Sequence, residues 1–120
     1  MPTDDNTISC GTSSLAWEDI YSHNSLTVVS DERRKKNILP SDLGLDFINT
    51  LNPISWDWDD GSTSKERTYG LGAQSVEKIL NGKSFAGLVR DKSTDFYGLR
   101  LDQFIPILIK AVQELSYKIH

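Results

Sequence analysis

The chain has 120 residues, 38% of them hydrophobic and 25% charged, with a formal net charge of −4. That size fits one small domain with a modest core, and the acidic balance, with a pI near 5.0, argues against nucleic acid as a general partner. A single cysteine, Cys10, excludes an internal disulfide, and the most apolar run, Phe104 to Ile109, is interrupted by Pro106 and falls far short of the ~20 residues of a membrane span.

The opening Met1-Pro2-Thr3-Asp4-Asp5 is acidic and polar, unlike a secretory signal. Residues 1–29 alternate turn-rich stretches, Asp4-Asp5-Asn6-Thr7 and Gly11-Thr12-Ser13-Ser14, with short apolar pieces. Two of these pieces, Ala16 to Tyr21 and Leu26 to Val29, are predicted as short strands, with Trp17, Ile20 and Tyr21 as packing residues. Such pieces cannot bury themselves alone. They are expected to be the end of a larger β-rich fibre.

Directly after Val29 stands Ser30-Asp31-Glu32-Arg33-Arg34-Lys35-Lys36-Asn37. It sets a hydroxyl five positions ahead of a lysine with basic neighbours. A serine attacks only if something takes its proton. A lysine does so only once its pKa has fallen from about 10.4 towards about 7–8. Arg33, Arg34 and Lys36 push in that direction, and Asp31 and Glu32 push against it. The carbonyl nearest Ser30 is that of Val29, so attack there would turn the amide into an ester by an N-to-O acyl shift, which water opens. That shift needs a strained bond. The competing reading makes Ser30 a helix N-cap, since serine followed by acidic residues is a common start signal.

Further on, Pro40-Ser41-Asp42 predicts a helix start with Ser41 as cap, running through Leu45, Phe47, Ile48 and Leu51 and stopping before Pro53. Ile54 to Trp58 alternates as a half-buried strand, followed by a polar loop, Asp59 to Ser64, that lacks the spacing of a calcium loop. Arg67 to Leu71 is its pairing strand, and Gln74 to Leu80 a short helix closed by Asn81-Gly82. Gly70-Leu71-Gly72 lacks the rest of a phosphate loop, and close backbone approach accounts for its glycines better. Ala86 to Val89 and Phe96 to Leu99 predict two more strands around a turn at 91–94. Leu101, Ile105, Leu108, Val112, Leu115 and Ile119 follow at spacings of 4, 3, 4, 3 and 4, a heptad seam with Phe104 and Ala111 on an adjoining stripe. The seam fits either a helix on its own sheet or a helix between copies. The only histidines, His23 and His120, lack a cysteine partner, so neither a metal site nor a cofactor is expected. Arg33 to Lys36 beside Asp31 and Glu32 is a poor nucleic-acid patch.

Ser30-Asp31-x-Arg33-x-Lys35-x-Asn37-Ile38 resembles the opening motif of the endosialidase-type intramolecular chaperone domain, a family of self-cleaving C-terminal domains of phage tail spikes, fibres and neck appendages. The similarity continues through Leu51-Asn52-Pro53-Ile54-Ser55-Trp56-Asp57-Trp58, then Tyr69-Gly70-Leu71-Gly72-Ala73-Gln74-Ser75-Val76-Glu77, and ends at Tyr97 to Leu108 before the long helix. The resemblance implies a homotrimer that directs assembly of its own N-terminal β-rich passenger and then cuts itself off before the motif serine. Carried over, the cleavage site is Val29–Ser30, the catalytic pair is Ser30 and Lys35, and Asp31, Arg33 and Asn37 are auxiliary candidates.

The expectation is therefore an α+β fold: a small antiparallel sheet with helices and a long C-terminal helix, homotrimeric, preceded by a short β-rich fibre stub. Residues 1–29 would be the end of the passenger and 30–120 the chaperone. The expected function is that of an intramolecular trimerisation chaperone and single-turnover serine autopeptidase. It would need no cofactor, metal, nucleic acid or membrane, and would act in the host cytoplasm during phage assembly. Two alternatives stand beside it: a trimerisation module that does not cut, and the same domain in a membrane-tethered transcription-factor precursor.

Overall fold

The computed structural model describes residues 4–59 and 66–119. The loop expected at 59–64 lies outside the described residues from residue 60 onward, as does His120. The chain divides into two compact units, Met1–Leu39 with Asp91–Phe96, and Pro40–Arg90 with Tyr97–His120.

In the second unit, helix α1 spans Leu45–Thr50, strands β1 and β2 span Ile54–Trp56 and Thr68–Gly70, and helix α2 spans Ala73–Leu80. Strands β3 (Leu88–Arg90) and β4 (Tyr97–Leu99) follow, then a 3-10 turn at Leu101–Gln103 that leads into helix α3, Phe104–Ile119. The class is α+β. The strands, however, make two separate antiparallel pairs instead of one sheet: Ile54 opposite Gly70 and Trp56 opposite Thr68 in one, Leu88 opposite Leu99 and Arg90 opposite Tyr97 in the other. Strands of three residues, one in each pair carrying a glycine, offer too short an edge to recruit a further strand. Gly70 is needed for contact: a Cβ there would lie 3.0 Å from Cη2 of Trp56 across the pair.

Helix α2 ends where Asn81 turns left-handed (φ 49°, ψ 50°) with Gly82 behind it, and the Asn81 N–H bonds the Glu77 carbonyl at 3.1 Å. The start of α1 corrects the sequence expectation. Gly44, not Ser41, is its N-cap. Ser41 spends its hydroxyl on the Leu43 carbonyl at 2.7 Å, and Asp42 pairs with Lys83. The orphan Leu45 N–H is met by Glu114 Oε1 of α3 at 3.2 Å, and a Cβ on Gly44 would collide with that carboxylate. A distant side chain thus performs the capping that the local sequence seemed to offer.

The core gathers Phe47, Val76, Leu80, Phe104 and Ile107. Phe104 lies near-parallel to Phe47 at 6.3 Å, and Phe85 meets Phe104 edge-on at 5.3 Å. Helix α3 buries Phe104, Ile107 and Ala111, a stripe at spacings of three and four. Pro106 is its third residue, where no intrahelical bond is lost. An open apolar hollow lies along β1, β2 and β4, with Trp56, Trp58, Tyr69 and Leu101 in its wall. No helix among the described residues is long and apolar enough to cross a membrane.

In the first unit, residues 4–31 carry neither helix nor strand. The strands expected at 16–21 and 26–29 do not form in the single chain, and the residues expected to pack are exposed, Trp17 at 64% and Tyr21 at 92%. A strand needs a ladder partner and a covered face, and the described residues supply neither to these segments.

Candidate functional site

A single 3-10 turn, Glu32–Arg34, shapes the segment after Val29. The Arg34 N–H bonds the Asp31 carbonyl and the Lys35 N–H bonds the Glu32 carbonyl, both at 3.1 Å. The turn folds the chain back so that residues 30 and 35 face one another, and Lys35 Nζ lies 2.8 Å from Ser30 Oγ. Asn37 follows in the left-handed region at φ 56°, where asparagine is among the least strained non-glycine residues. Its place in the pair's geometry goes no further than ending this bend.

Asp31, not Ser30, caps the turn, its Oδ1 accepting the Arg33 N–H at 3.0 Å. The Arg33 side chain closes on the same carboxylate in a two-pronged grip, Nε to Oδ1 at 3.1 Å and Nη2 to Oδ2 at 2.7 Å. The guanidinium first, and the Arg33 backbone N–H second, hold the Asp31 carboxyl below its usual value. The competing reading of Ser30 as an N-cap therefore fails: the neighbour does that work. The nearest acid is engaged by Arg33, and the Ser30 hydroxyl is left facing Lys35.

Val29, Ser30, Asp31, Arg34 and Lys35 line an open depression together with Asp5 and Asn6. The sequence marked those last two only as part of a turn. The whole stretch from Ser30 to Asn37 is exposed in the single chain. Among the described residues, no three His, Cys, Asp or Glu side chains gather as a metal-binding group.

The seam residues form a second feature. Leu101 sits in the 3-10 turn and Ile105, Leu108, Val112, Leu115 and Ile119 on α3. All six are between 46% and 74% exposed. The helix packs on its own unit through the adjoining stripe and turns the seam outward. The Ser30–Lys35 pair belongs to the first unit and the seam to the second.

A family model described as chaperone of endosialidase, and named as a peptidase, matches residues 30–89, half of the chain and starting at Ser30. The chain belongs to this family. The match of the endosialidase chaperone contains three of the four motifs read from the sequence, while Tyr97 to Leu108 and the whole of α3 lie beyond it. No curated protein matches the chain. A chaperone role and a phage-protein passenger accord with the family's description, and its name carries peptidase activity as a class.

Proposed function

We propose that this chain is a trimerisation chaperone that cuts itself at Val29–Ser30 once assembled, with Ser30 as nucleophile and Lys35 as its base. The observation that carries this reading is the 2.8 Å contact between Lys35 Nζ and a Ser30 hydroxyl released from capping. In the step proposed, Ser30 Oγ attacks the Val29 carbonyl carbon while Lys35, as the neutral amine, takes the hydroxyl proton. The Val29–Ser30 C–N bond breaks, the new C–O bond makes an ester, and Lys35 returns the proton to the departing Ser30 amine. Water then opens the ester, leaving a Val29 carboxylate and restoring the hydroxyl. Asp31, Arg33 and Asn37 serve by holding the bend, so they are positioning residues.

Assembly supplies what the lone chain lacks. Copies packed through Leu101, Ile105, Leu108, Val112, Leu115 and Ile119 as a homotrimer would cover an apolar face that is exposed among the described residues. The upstream β-rich passenger, a phage fibre or spike, would then find its partner strands in register, at lower loop-closure cost. Folding would take place in the host cytoplasm, and cutting would report completed assembly.

Mass spectrometry of freshly made protein tests the chemistry. A fragment beginning at Ser30 is expected from the wild type and absent from Ser30→Ala and Lys35→Met. Intact wild-type chains after long incubation would instead favour a module that does not cut. Scission in Ser30→Ala would end the assignment of the nucleophile.

A further inference from the structure

We infer that the turn between β3 and β4 is a clasp for the segment upstream of Ser30, so that this segment stays bound after the Val29–Ser30 bond is cut. Ser13 Oγ donates to Asp91 Oδ2 at 2.5 Å and lies 2.8 Å from the Thr94 hydroxyl. These bonds join residues 78 and 81 positions apart, on opposite sides of the bond proposed to break. With the Ser13 proton directed at the carboxylate, Thr94 is the donor in the second contact, and the Phe96 N–H in turn faces Thr94 Oγ1 at 3.4 Å.

The turn is built to receive a hydroxyl. Asp91 Oδ1 is occupied by the Ser93 N–H at 3.0 Å and the Ser93 hydroxyl at 2.7 Å, which orients Oδ2 towards Ser13. Asp91 N–H to Phe96 O at 2.8 Å, and Asp95 N–H to Asp91 O at 2.7 Å, fix the loop, with Asp95 left-handed at φ 62°. On the other side, Ser13 is presented by its own turn, in which the Thr12 N–H bonds the Leu15 carbonyl and the Leu15 N–H bonds Thr12 Oγ1. Two preformed turns meeting through a charge-assisted bond lose little conformational freedom on closing. The upstream segment carries neither helix nor strand from residue 4 to 31, so side-chain bonds such as these tie it to the turn at 91–96. Release of the chaperone then becomes a separate step from scission.

The clasp stands on this geometry, whereas retention of a cut piece rests on the scission proposed above. Hydrogen exchange in an uncut Ser30→Ala chain reads the clasp without any cutting. In that background Asp91→Ala should speed exchange at residues 12–15, and Ser13→Ala should speed it at 91–96, each on the order of threefold to tenfold, as loss of such bonds gives. Asp91→Asn, which keeps an acceptor, should fall between, and Lys92→Ala should change neither region. Exchange along α3 reports that the fold persists in each variant. Unchanged exchange in both turns overturns the clasp. In processed wild-type protein the two pieces should elute together under native conditions and separate with Asp91→Ala; separation already in the wild type, or joint elution of the variant's pieces, overturns retention. If no scission occurs, the cutting proposal fails and the exchange experiment still decides the clasp.

Discussion

Ser30 is freed by its neighbour. Because Asp31 accepts the Arg33 N–H and both prongs of the Arg33 side chain, the turn after Val29 is capped without the serine. Asp31→Ala should return the capping work to Ser30 and pull its hydroxyl off Lys35. A displacement of this kind slows scission by roughly ten- to a hundredfold, read as the rate at which the Ser30-initiated fragment appears. Lys35→Arg keeps the positive charge but cannot act as a base, so scission should drop by about the 10²–10⁴ that a general base supplies. The Asp31–Arg33 grip also has a pH signature. The folded-state carboxyl lies below its usual value of 3.8, so the turn's stabilisation is present above that value and is lost as the pH falls through the lowered one. The Arg33 amide resonance should stay fixed from neutral pH down to about 4 and shift only below it; movement near pH 5 would contradict the grip.

Among the elements, α3 works on both sides. Its Phe104, Ile107 and Ala111 stripe builds the core, its Glu114 caps α1, and its seam faces outward. Phe104→Ala should cost about 3–5 kcal/mol, the usual toll for a buried phenylalanine, and a chemical denaturation curve measures it. Glu114→Ala and Gly44→Ala remove the same cap by different means, so each should cost about 1 kcal/mol. Their double variant should cost little more than either alone, because the partners share one interaction. Simple addition of the two would contradict the shared cap. These cases also mark what sequence can and cannot disclose. Helix α2 was legible because Asn81-Gly82 closes it locally, whereas the turn after Val29 takes its cap from Asp31 and not from Ser30, the residue the sequence offered for that work. Ser41 misled, since the true cap comes from a residue 69 positions away. The heptad in α3 was visible, yet spacing alone did not tell which stripe faces the chain's own core. The strands at 16–21 and 26–29 carry strand chemistry without a partner in one copy, and no local pattern reveals that.

For the whole molecule, the decisive fact is a shortage of interior. The buried hydrophobics among the described residues are Phe47, Val76, Leu80, Phe104, Ile107 and Ala111, while the six seam residues and much of residues 15–29 stay exposed. So small a core gives limited stability to an isolated copy, and the uncovered seam supplies a reason for copies to associate. A charge at Leu108 should break that association while leaving the core stripe untouched, since Leu108 is 46% exposed. Sedimentation of Leu108→Asp should show monomers whose circular dichroism matches the parent. On the proposed function, the passenger would be held by its own unfolding barrier once it is both cut and released from the clasp. The most direct measurement is the initial rate of scission at Val29–Ser30, followed by intact mass, in the wild type and in Leu108→Asp at equal concentration. We expect the rate to fall with the trimer population and to vanish in the monomeric variant; full-speed cutting by a monomer would contradict assembly-gated self-processing.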